Sequence, residues 1–72
     1  MPYAYLTRTQ VERVLAATPE EQLDLVDNWA TVRMSRPPRD LARVAVEFPA
    51  YADGRQVARQ LLRLVRVVKE VK

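Results

Sequence analysis

The chain has 72 residues, no cysteine, no histidine and a formal net charge of +3. That length holds one domain at most, with a small core. Without cysteine there is no disulfide or thiolate metal site, and without histidine the commonest general base and metal ligand are both missing.

The charge is uneven. Residues 1–36 carry four arginines and five acids, a balance of −1, while residues 37–72 carry eight basic and four acidic groups, a balance of +4. The basic half points to an anionic partner. Arginine outnumbers lysine ten to two beside abundant Ala and Val, usage that fits a GC-rich bacterial or phage genome. Residues 1–6 have neither a basic region nor a long apolar run, and no window approaches the roughly 20 apolar residues of a membrane span. The expected location is cytoplasmic, with no membrane partner.

Residues 1–6, with Tyr3 and Tyr5, read as irregular or briefly extended. Thr7 and Gln10 then form a capping box, with Leu6 and Val11 placed as a hydrophobic staple. They open a helix near 8–17 that buries Val11, Val14 and Leu15. Thr18, Pro19 and Glu21 signal a second helix by the same logic, with Glu20 and Glu21 favoured by its positive end. Leu23, Val26, Ala30 and Met34 make one apolar stripe on it, and Leu25, Trp29 and Val32 a neighbouring one. Glu20, Asp24 and Asp27 fill a wet wedge. The helix is expected to run to residue 34, because Pro37 pushes Arg36 out of the α region.

Ser35 to Asp40 is a basic, proline-rich turn. Residues 41–48 fit two periods. Leu41, Val44, Ala45 and Phe48 match a helix, and Ala42, Val44, Val46 and Phe48 match a strand. A lone strand needs a partner, either another chain or residues 3–6, and no hairpin signal lies beside it. A short helix over 38–48 is therefore the preferred reading. Asp53 caps a last helix over 54–70, with Gly54 easing the entry. Its apolar residues Val57, Leu61, Leu64, Val68 and Val71 follow an a/d seam, and Arg55, Arg59, Arg63 and Arg66 occupy the opposite face.

The expected fold is thus all-α, a single bundle of about four helices at 8–17, 19–34, 38–48 and 54–70, the third helix having a strand as its alternative. Catalysis is not expected. The one serine, Ser35, has no histidine to activate it, and the carboxylates sit on a wet helix face. No cofactor, metal or small-molecule substrate is indicated. The expected function is a non-enzymatic interaction or regulatory protein. Its partner is itself, as a homodimer through Val57, Leu61, Leu64, Val68 and Val71, or another protein. The alternative is nucleic-acid binding through Arg55, Arg59, Arg63 and Arg66. Both are weighed against a monomer with a solvated arginine face. A helix-turn-helix reader fits poorly, since the second helix would bring Glu20, Asp24 and Asp27 toward phosphates.

Overall fold

Tyr3 to Leu6 form a strand, β1 (Tyr3–Leu6), and the rest of the chain is arranged around it. The computed structural model describes residues 1–70, with side chains as far as residue 68. After β1 come α1 (Arg8–Ala16), α2 (Pro19–Trp29), β2 (Thr31–Arg33), β3 (Val44–Glu47) and α3 (Gly54–Glu70). Among the described residues the architecture is therefore mixed: three helices and a three-stranded antiparallel sheet of order β2-β1-β3. The all-α, four-helix expectation is corrected on this point.

β1 lies between its partners, with Ala4 opposite both Val32 and Val46, and Leu6 opposite Val44. Two further bonds extend the β1–β3 ladder, Phe48 N–H to the Pro2 carbonyl at 3.0 Å and Arg43 N–H to the Leu6 carbonyl at 2.8 Å. Because side chains alternate along a strand, Ala4, Leu6, Val44 and Val46 share one face. The helices cover that face. Leu6, Val14, Val26, Leu61 and Val65 are fully buried between the layers, each worth roughly 1.5–3 kcal/mol relative to exposure.

Two expected helical stretches are strands. The region 38–48 contains β3 instead of a helix, and the second helix ends at Trp29 instead of residue 34. The cause is the same in both cases. A central strand presents unpaired N–H and C=O groups on both edges, and these need partners. Thr31-Val32-Arg33 and Val44-Ala45-Val46-Glu47 supply them, and their β-branched residues suit a pleated surface. Within β3 the period-2 pattern holds: Val44 is buried and Val46 half-buried, while Ala45 and Glu47 are exposed. Met34, expected on an apolar helix stripe, is 75% exposed.

The helix starts are local and mostly follow expectation. The Thr7–Gln10 capping box forms with both of its bonds. Asp53 caps α3 by accepting the Arg55 N–H at 3.0 Å. Thr18 precedes α2 without a side-chain cap bond, so the second capping box does not form, and Pro19 at the first helical position sets the start instead.

The connection over 34–43 fixes the other face of the sheet. It leaves β2 beside Tyr3 and enters β3 beside Leu6, so it must cross β1 from one flank to the other. Tyr3 and Tyr5 point away from the helices, yet Tyr5 is only 6% exposed. Arg36 lies close enough to Tyr3 to act on its phenol, and Pro37 is buried. The crossover therefore runs over the tyrosine face, opposite the helical layer.

Candidate interaction surfaces

The fold sends the arginines from Arg33 onward to two separate places. The first is α3. Arg55, Arg59, Arg63 and Arg66 are all exposed on it, since the steps of four and three keep them on one side of the helix while Val57, Leu61 and Val65 face inward. They are not equivalent. The Arg55 guanidinium reaches Asp24 Oδ1 at 3.1 Å and Asp27 Oδ2 at 3.6 Å, both on α2. Arg66 donates to Gln22 Oε1 at 3.3 Å. The acidic wedge of α2 and the basic face of α3 thus meet within one chain. These pairs are exposed, so each contributes about 0–1 kcal/mol and mainly sets how α2 lies against α3.

Arg59, Arg63 and Arg66 form one wall of an open groove of about 600 Å³. Leu23, Leu62 and Val67 line its apolar part, and Pro19 and Glu20 at the start of α2 complete it. Val67 is 46% exposed there. The groove thus has a basic wall from α3 and an acidic residue from α2, with apolar surface between.

The five seam residues are divided by the fold. Val57 and Leu61 lie inside the chain's own core, and Leu64 and Val68 are half-buried and packed against it. Val71 lies outside the described residues. As folded, Val57 and Leu61 present no surface to a second chain.

No protein family, curated protein or solved structure matches this chain.

The second basic surface was only partly legible in the sequence. Arg33, Arg36, Arg39 and Arg43 flank the proline turn, and the sequence leaves open whether they extend the α3 patch. The crossover places them across the sheet from α3. All four are exposed, and among the described residues the ion pairs are those of Arg55. Beneath them, Glu47 stands opposite Tyr3 in the register. Glu47 accepts the phenol's hydrogen bond and, with burial and its own charge, raises the Tyr3 pKa, while Arg36 acts against it. Among the described residues no helix is long and apolar enough to cross a membrane, and no group of three or more carboxylates is placed to hold a metal ion.

Proposed function

We propose that the protein is a non-enzymatic interaction module that pairs with a second copy of itself along α3, through the α2–α3 groove. The observation that carries this reading is the groove's mixed charge. Arg59, Arg63 and Arg66 face a wall that holds Glu20, with Leu23, Leu62 and Val67 between them. A two-fold axis across such a surface sets the arginines of one copy against Glu20 and Glu21 of the other and closes the apolar strip. An interface of ordinary size takes about 800 Å² from each partner, against 5184 Å² exposed by this chain. In this reading the contact lies beside the a/d seam, on the arginine edge of α3, because Val57 and Leu61 are used by the core.

Light scattering across a concentration series tests it. A dimeric mass is expected, weakened by salt and by the charge reversal Arg63→Glu, and recovered when Glu20→Arg is added. A strictly monomeric mass at the highest attainable concentration overturns the proposal. A cytoplasmic setting is part of the same proposal, and fractionation of cells producing the tagged chain tests that part.

The second reading is nucleic-acid binding by the α3 arginines. The exposure of Arg59 and Arg63 favours it. Against it, Arg55 is already engaged by Asp24 and Asp27, and Glu20 borders the row. Loss of duplex binding in an Arg59→Gln/Arg63→Gln variant supports this reading, and duplex binding that survives in that variant overturns it.

A further inference from the structure

We infer that the β2–β3 crossover is a second, independent interaction surface, and that its partner is the phosphate backbone of a nucleic acid. The inference goes beyond the proposed self-association and uses none of its residues.

It starts from where the charge lies. Residues 33–43 hold four arginines and one aspartate, a balance of +3, while the remaining eight basic and eight acidic groups cancel. The whole net charge of the chain thus sits on one connection that crosses one face of the sheet. Arg33, Arg36, Arg39 and Arg43 are all exposed, and among the described residues none forms an ion pair. The α3 arginines are exposed too, but Arg55 is paired with Asp24 and Asp27, Arg66 is bonded to Gln22, and Glu20 borders the row.

The support beneath them is firm. Pro37 and Pro38 restrict the segment's backbone, and Pro37 is buried. The Pro38 carbonyl accepts from the N–H groups of both Leu41 and Ala42 at 3.1 Å, closing a turn that carries Arg39. Arg33 is held at one end by the β1–β2 ladder, and Arg43 at the other by its bond to Leu6. A surface ordered in advance loses less entropy on binding than a flexible basic tail.

The spacing matches the partner. Arg33 stands opposite Tyr3, and Arg43 lies one step beyond the Leu6–Val44 pair, two strand positions across the sheet. At strand geometry this is a diagonal of about 16 Å. Successive phosphates of one duplex strand rise about 3.4 Å each along the axis, so the patch is long enough to meet several phosphates bordering one groove. Asp40 and Glu47 are the carboxylates near the patch. Glu47 stands at its edge, opposite Tyr3, and two carboxylates do not offset four guanidinium groups. No base-reading element accompanies the arginines, so the binding is sequence-independent.

Fluorescence anisotropy of a labelled mixed-sequence duplex of about 20 base pairs, titrated with the full chain, tests the inference. Binding at low salt is expected, with a log–log salt slope of about −3 to −4 for four phosphate contacts. Arg36→Gln/Arg39→Gln should lower affinity at least about tenfold and reduce the slope by about two. Arg33→Gln/Arg43→Gln should do the same, and serves if the first pair disturbs the turn. Arg8→Gln/Arg13→Gln, at exposed arginines of α1 outside both surfaces, should leave affinity unchanged. Absence of binding at low salt overturns the inference. So does an equal loss in the Arg8→Gln/Arg13→Gln variant, or binding to vesicles of phosphatidylserine and phosphatidylcholine with none to the duplex. The mass measurement for self-association is unaffected by any of these outcomes, so the two readings fail separately.

Discussion

Gln22 accepts a hydrogen bond from Arg66 across the α2–α3 contact, at 3.3 Å. Gln22 is only 9% exposed, the one buried polar or charged residue among those described. Its amide also donates to the Ala17 carbonyl at 3.4 Å, in the turn between α1 and α2. One buried amide therefore ties the α1–α2 turn and α3 to the first turns of α2.

Replacing Gln22 by Ala removes both bonds and some packing. Each bond is worth about 1 kcal/mol net, and an unsatisfied partner adds to the loss. A destabilisation of about 1–3 kcal/mol is expected in urea unfolding. Arg66→Ala should cost less, because Gln22 keeps its bond to Ala17. Equal effects from the two substitutions would show that Gln22 acts through Arg66 alone.

Gln10 has a comparable double role on the other side of α1. Its Oε1 accepts the Thr7 N–H at 3.0 Å, and its Nε2 donates to the Trp29 carbonyl at 3.3 Å, where α2 ends. Gln10→Ala is expected to cost about 1–2 kcal/mol, at the upper end of ordinary cap losses. Gln10→Glu keeps the cap and loses the donor to Trp29, so it should fall between wild type and Gln10→Ala in thermal melts. A Gln10→Glu melt matching wild type would show that the Trp29 bond adds nothing.

Gly54 opens α3 with an ordinary backbone, not a positive φ, and a methyl group there meets no atom within 4 Å. The sequence reading gave this glycine a part in a sharp entry, and the geometry does not require one. Gly54→Ala should stabilise the protein by about 0.4–1 kcal/mol by restricting the unfolded chain. A lower melting temperature in this variant would contradict that geometry.

Tyr3 supplies a pH dependence. Its pKa is raised above the usual value of 10.0, first through the hydrogen bond to Glu47, then by burial and the Glu47 charge, with Arg36 opposing. The folded-state pKa lies above the unfolded one. The contribution of the contact is therefore complete below the unfolded pKa and is lost as pH rises through the folded value. In an ultraviolet titration of phenolate, the Tyr3 share, found by difference from Tyr3→Phe, should ionise at higher pH than a free tyrosine. Glu47→Gln should bring it down. An unchanged curve in Glu47→Gln would assign the shift to burial instead.

Much of the fold was written locally. The capping box of Thr7 and Gln10, Pro19 at the head of α2 and Asp53 ahead of α3 act within one turn of chain, so their residues can be read in order. The inward face of α3 was readable for the same reason. The sheet was not. Arg33 pairs with Tyr3 and Val44 with Leu6 across long stretches of chain, and no short-range signal marks those partners. Residues 41–48 show this directly. Their alternation was visible beside a helical period, and the central position of β1 decided between them.

The same division holds for the binding surfaces. By itself the sequence determined that α3 carries arginines at helical spacing and that four more surround the proline turn. Only the tertiary structure engaged Arg55 with Asp24 and Asp27 and placed the two arginine groups on opposite sides of the sheet. Helical spacing follows from neighbours three and four residues apart. The face a residue shares, and the charge it meets, depend on elements about thirty positions away, which pair only when the core closes.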